Sequence, residues 1–239
     1  MAMEIMSSNG NSGFLRRMFS TILASRNRDM PELLLEREAT LFDATWLRSR
    51  LSGLQPTDMN IPAGTAPKSP AGTARVAAVL VPIVPAPRPM VLLTRRSALL
   101  RTHSGQVSFP GGQPDPGDRD LAATALREAR EEIGLDSAHV TLLGRLPPQD
   151  TRASNFLITP FVGLLAPDAR WIAAPEEVDA IFGLDLEVLM DPDAPRRIER
   201  GLRRGTWSWP HPDHDIWGAT AAILVRLARL LRKDEPGSR

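Results

Sequence analysis

The 239-residue chain carries a formal net charge of +1, is 42% hydrophobic and contains no cysteine. That length suits one sizeable domain with appendages, and the missing cysteine excludes disulfides, thiolate metal sites and a cysteine nucleophile. So small a net charge offers no general field for nucleic acid or a membrane surface, and neither is expected as a partner; no apolar run nears the roughly 20 residues of a membrane-spanning helix. Lysine stands only at positions 68 and 233, which leaves 27 arginines among the 29 basic residues. With abundant Ala and Pro, this is read as coding bias rather than as a binding signal.

Residues 1–28 read as a flexible tail, rich in Ser, Asn and Gly, with no acidic residue between Glu4 and Asp29. An extension on a cytoplasmic protein is the expectation, and a mitochondrial presequence the alternative. Asp29-Met30-Pro31-Glu32 supplies a helix start, and Leu33, Leu34, Leu41, Phe42, Trp46, Leu47 and Leu51 follow at helical spacing. Such a helix needs a partner surface, on the main domain or in a homodimer. Four prolines and two glycines between Gln55 and Thr73 mark a linker. The chain therefore divides into a tail (1–28), an N-terminal helix with linker (29–72), a main domain (73–234) and a short C-terminal tail (235–239).

In the main domain, Arg75 to Val84, Met90 to Thr94 and Gln106 to Phe109 suit strands. Arg119 to Ile133 suits a helix. About 100° per residue puts Ala122, Ala125, Leu126, Ala129 and Ile133 on one strip, with Glu128, Glu131 and Glu132 beside it. Carboxylates so close repel, raising the pKa of one of them unless a cation intervenes. An oxygen-only set leaving room for water and phosphate favours Mg²⁺ or Mn²⁺. The bland alternative is a solvated charged face. Gly134 ends the helix, and the Phe109-Pro110-Gly111-Gly112 turn lets backbone approach a metal or phosphate closely.

Val140 to Leu143 suits a strand, and Pro147-Pro148 opens a loop carrying Asp150, Thr151, Arg152 and Ser154. Phe156 to Leu165, Trp171 to Ala173 and Val178 to Leu184 read as further strands, and Arg196 to Arg200 with Thr206 to Trp209 as a hairpin around Gly205. His214 or Asp215 opens a last helix, with Ile216, Ala219, Ile223, Leu227 and Leu230 inward. His211 and His214 read as a turn and cap, and the five tryptophans as core. Strands with a central and a terminal helix make an α/β (α+β) domain in which a mixed sheet lies between helical layers.

Gly112 and the run Arg127 to Leu135 resemble the two ends of the Nudix box, the signature of hydrolases that cut nucleoside diphosphates linked to another group. Asp118 stands where that pattern has Glu, and eight residues rather than seven separate it from Arg127. Upstream, Leu92-Leu93-Thr94, Arg96-Ser97, Arg101, Gly105 and Phe109 to Gly112 resemble the extra motif of the coenzyme A diphosphatase subgroup. The resemblance implies an αβα sandwich and Mg²⁺- or Mn²⁺-dependent hydrolysis of coenzyme A or its thioesters to 3′,5′-ADP and 4′-phosphopantetheine. It implies Glu128 and Glu132 as metal ligands, Glu131 as third ligand or base, and a Gly112 carbonyl near the metal. Arg127, four residues before Glu131, would aim that carboxylate. Arg96, Ser97, Arg101, Gly111 and Gly112 form the implied substrate set. Glu176 or Glu177 is the candidate for a later acidic contributor. ADP-ribose or NADH hydrolysis and a non-catalytic nucleotide-binding module are the competing functions.

Overall fold

The computed structural model describes residues 42–54, 61, 75–85, 87–100, 102–151 and 155–233. The expected tails, the helix start at Asp29, most of the linker, Arg101 and Arg152 to Ser154 lie outside the described residues.

Strand β1 (Arg75–Val84) runs through the centre of the sheet. It pairs in parallel with β7 (Phe156–Leu165), from Arg75 opposite Phe156 to Ile83 opposite Leu164. Its other side meets β2 (Met90–Arg96) and the two-residue β4 (Gly111–Gly112), both antiparallel. The short β3 (Val107–Ser108) and the edge strand β8 (Val178–Asp185) flank β2, while β5 (Val140–Arg145) and β6 (Gln149–Thr151) flank β7. The sheet is therefore mixed, as expected. Pro160 is tolerated inside β7 because it faces the gap between β5 and β6. There its carbonyl accepts from Leu146 N at 2.9 Å, and no ladder partner needs the amide it lacks.

Alternation along β1 assigns the two layers. Ala78 and Leu80 face helix α2 (Leu121–Ile133), which buries Leu121, Ala122, Ala125, Ala129 and Ile133 against them. Val79, Val81 and Ile83 face the opposite core, shared by α1 (Ala44–Leu51), α3 (Leu186–Met190) and α4 (Gly218–Arg232). Burying each such aliphatic side chain contributes about 1.5–3 kcal/mol, so a charge at Leu80 would break both the helix contact and the sheet centre. The result is the expected αβα sandwich.

Several local expectations are corrected. Asp43 is extended and its carboxylate accepts from Trp46 N at 2.7 Å, so a fresh helix begins at Ala44 instead of one running on from Asp29. Its Leu47 and Leu51 lie in the main core, the first of the two partner surfaces expected for this segment. The α2 helix starts at Leu121, because Asp120 takes the N-cap and accepts from Ala123 N at 2.8 Å. Gln149 to Thr151, expected as loop, form β6. The last helix starts at Gly218, after Ile216–Trp217 pair as β11 with β10 (Trp207–Trp209), which also pairs β9 (Arg196–Arg197) as the expected hairpin. Of the tryptophans, only Trp209 is buried in the core. Trp171 to Ala173 form no strand: Ile172 N and Ala174 N donate at 2.8 and 2.9 Å to the Ile133 and Glu132 carbonyls, closing the end of α2 instead.

Candidate active site

Three chain segments fix the carboxylate edge of α2. Gly134, at φ +62°, turns the chain left-handed and donates to the Ala129 and Arg130 carbonyls, so the helix stops at Ile133. The 171–174 segment then covers the Glu132 and Ile133 carbonyls. Glu177 follows, its own carbonyl accepting from Ser97 N at 2.9 Å, which ties the loop after β2 to the same corner.

Glu132 is buried beneath this corner. Its Oε1 lies 3.5 Å from Arg96 Nη1, and its Oε2 accepts from Gly111 N at 3.3 Å. Burial dominates its titration and pushes its pKa up to about 8; Arg96 and the Gly111 amide pull the other way, and the charges of Glu128 and Glu177 add to the rise. Burial likewise pushes Glu128 up, against the pull of Arg127. Both carboxylates also sit towards the negative end of the helix dipole, which favours cations. Gly112 is small for a reason: a Cβ there would lie 2.5 Å from Glu128 Oε1. Gly111 is confined differently, since a Cβ would come within 2.3 Å of the Ala78 carbonyl of β1.

Arg127 organises the outer half of the site. Its Nε and Nη2 form a fork on Asp118, at 3.0 and 3.1 Å, and Nη2 also donates to the Gln113 carbonyl at 3.1 Å. It meets Glu128 Oε1 at 3.0 Å and Glu131 Oε2 at 2.8 Å. The spacing of four between Arg127 and Glu131 thus produces the expected ion pair. Burial would raise the Asp118 pKa, but Arg127, the Asp115 amide and Thr124 Oγ1 outweigh it and hold the carboxyl below the usual range. The extra residue before Arg127 therefore costs no contact, because Asp118 reaches the guanidinium although it is shorter than glutamate.

The structure brings together Glu128, Glu132, Arg96, Gly111 and Gly112. Glu131 is half exposed and held on Arg127, beside an open depression lined by Ala123, Leu126, Arg127, Arg130, Glu131 and Ser137. Ser97 is buried, and its Oγ accepts from Leu99 N at 3.3 Å. Arg96 Nε is buried without a hydrogen-bond partner. Among the described residues no three acidic or histidine side chains form a ready-made cation cage. The donor set nonetheless fits a divalent ion that keeps its own waters: two neighbouring carboxylates keep raised pKa values although Arg127 meets Glu128 at 3.0 Å and Arg96 approaches Glu132 at 3.5 Å, so further positive charge is favoured between them.

Sequence spacing could not separate Glu177 from Glu176, and the structure brings Glu177 nearer the helix carboxylates electrostatically. Its charge reaches both Glu128 and Glu132 because the 171–174 segment docks on the helix end, 45 residues after Glu132 in the chain. His211 and His214 are not at this corner. They pack on Phe182, with His214 stacked at 3.7 Å, and burial pushes the His214 pKa down.

Residues 74–204 match the NUDIX domain. The chain belongs to the Nudix family. It is 42% identical over 166 residues to the Nudix hydrolase NudL of Photorhabdus laumondii, covering 68% of this chain and 88% of that protein. The NudL of Pectobacterium atrosepticum is 46% identical over 158 residues, covering 64% and 81% respectively. The structure of RenU, a Nudix hydrolase from M. smegmatis, aligns with a TM-score of 0.46 at 19% identity, over 72% of this chain and 97% of that one. As a Nudix hydrolase the protein cleaves a diphosphate bond in a small-molecule substrate, chemistry for which the family uses divalent metal ions.

Proposed function

We propose that this Nudix enzyme hydrolyses the diphosphate bond of coenzyme A or its thioesters, giving 3′,5′-ADP and 4′-phosphopantetheine or its acyl derivative, with Mg²⁺ or Mn²⁺. The observation that carries the reading is the meeting of two motifs at one point: Arg96, from the stretch resembling the coenzyme A subgroup, lies 3.5 Å from the buried Glu132 of the Nudix helix. The Arg96 side chain is partly exposed beside Glu132, and guanidinium presents a fixed fork to phosphate oxygens. A substrate with a 3′-phosphate besides its diphosphate needs more than one such cation, and Arg101 is the second proposed.

Glu128 and Glu132 would hold the metal, with backbone at Gly112 adjacent. A bound divalent cation there supplies charge neutralisation for the diphosphate and a water acidified towards neutral pH. The chain's own residues do the rest. Arg127 fixes Glu128 and Glu131 through one guanidinium, so the two carboxylates keep their relative position as charge changes. Glu131, half exposed, is proposed to accept a proton from water, while Glu177 adds negative potential at Glu128 and Glu132. Backbone at Gly111 and Gly112, next to these carboxylates, completes the proposed substrate set with Arg96, Ser97 and Arg101.

Incubating the protein and Mg²⁺ with coenzyme A, an acyl-coenzyme A, ADP-ribose, NADH and diadenosine polyphosphates tests the assignment. Coenzyme A or its thioester should show the highest kcat/KM. A preference for ADP-ribose or NADH would replace the substrate while keeping the hydrolase.

A further inference from the structure

The net charge of +1 conceals an uneven distribution. Residues 196–205 carry five arginines and one glutamate, a local +4, so the rest of the chain sums to −3. These residues form the hairpin between β9 and β10. Its turn is fixed by Ile198 N to the Thr206 carbonyl (3.0 Å), Gly205 N to the Ile198 carbonyl (2.8 Å), and left-handed glycines at positions 201 and 205. Two of the arginines belong to the framework. Arg197 lies over Trp207 at 4.1 Å and donates to the Gly205 carbonyl; Arg203 lies over Trp217 at 3.9 Å and pairs with Asp215. Arg196, Arg200 and Arg204 are exposed, and among the described residues their side chains form no ion pair or hydrogen bond. Between them projects Leu202, 109% exposed.

We propose that this hairpin is a docking element for an anionic lipid surface. The three unpaired guanidiniums meet the headgroup phosphates, and Leu202 enters the hydrocarbon boundary beneath them. A single-stranded nucleic acid would satisfy the arginines but gain nothing from an aliphatic tip. One face each of Trp207 and Trp217, on which bases would stack, is already covered by Arg197 and Arg203. The composition argument against a membrane partner holds for the whole chain and fails locally, because salt screens charges beyond about 8–10 Å and the surface meets only the hairpin.

The test is co-sedimentation of the full chain with vesicles of phosphatidylcholine alone and of phosphatidylcholine with phosphatidylglycerol, with tryptophan emission followed in parallel. Binding is expected only with the anionic lipid, weakening as salt rises, with a blue shift in emission. The double variant R200E/R204E, checked for an unchanged circular-dichroism melt, should lower the bound-to-free ratio at least about tenfold. Leu202→Ser should lower it less, by an amount that salt does not remove. Hydrolysis of a soluble substrate should be unaffected in both. Wild-type binding by R200E/R204E would overturn the proposal. So would equally tight binding of a single-stranded oligonucleotide together with no effect of Leu202→Ser.

Discussion

Arg96 Nη1 and Glu132 Oε1 stand 3.5 Å apart across the gap between the sheet and the Nudix helix, and Glu132 has no nearer cation among the described residues. With its pKa raised to about 8 by burial, Glu132 is largely protonated in the metal-free protein at neutral pH. Glutamine reproduces that neutral shape. Glu132→Gln should therefore keep the metal-free stability within about 1 kcal/mol while turnover falls by orders of magnitude. Thermal melts with and without Mg²⁺ check both halves: the ion should raise the wild-type Tm and move that of the variant far less. Full turnover by the variant would remove Glu132 from the site.

The same burial couples the metal to protons. The ordinary glutamate pKa is 4.5, and the folded value for Glu132 is about 8. Between these the native metal-free state holds a proton that the unfolded chain has released, so this group's contribution to stability is fully present below about pH 4.5 and is lost as pH rises towards 8. A divalent cation needs the ionised carboxylate, so binding must expel the proton. Titration calorimetry at pH 7 in buffers of different ionisation enthalpy should show release of most of one proton per ion, and affinity should climb until about pH 8. Buffer-independent heats would contradict this.

The helix and its charged edge were legible in the sequence because both depend on local periodicity. The apolar strip of Ala122, Ala125, Ala129 and Ile133, the Gly134 stop and the Arg127–Glu131 pair follow from 3.6 residues per turn. What escaped depends on chain closure. Trp171 to Ala173 looks like a strand in isolation, yet the Ile172 and Ala174 amides serve orphan carbonyls of α2, a demand set by another segment. Asp43 was hidden within a run of leucines at helical spacing, since an N-cap interrupts the backbone without interrupting the hydrophobic pattern. The short α3 carries too few turns to show a period.

Arg127 should be the residue whose loss damages stability as well as turnover. The Asp118 side chain is largely covered and Arg127→Ala removes its fork, leaving only the Asp115 amide and Thr124 Oγ1 on the carboxylate, so the variant should cost about 1.5–3 kcal/mol in urea unfolding. Lysine restores charge without the fork and should recover only part. Because the folded-state pKa of Asp118 is depressed, its contribution is present above the ordinary value of 3.8 and is lost as pH falls through the lower folded value. Asp118→Asn should accordingly weaken the protein at neutral pH and show a shallower loss on acidification than wild type. Parallel acid limbs would count against the fork.

The adjacent glycines separate folding from chemistry. Alanine at Gly111 would drive a methyl to 2.3 Å from the Ala78 carbonyl and 2.6 Å from Val79 Cα, both backbone atoms of the central strand that cannot step aside. Alanine at Gly112 would instead meet the Glu128 carboxylate at 2.5 Å, the far end of a side chain that can rotate. Gly111→Ala is thus expected to lose about 1–3 kcal/mol or more of stability, and Gly112→Ala less than about 1 kcal/mol. The second variant should still fold, bind Mg²⁺ weakly and hydrolyse slowly, because moving Glu128 both opens its contact with Arg127 and disturbs the pair it makes with Glu132. Denaturant midpoints and Mg²⁺ titrations of the two proteins separate the effects; equal destabilisation by both, with metal affinity intact in Gly112→Ala, would mean that the second glycine serves packing alone.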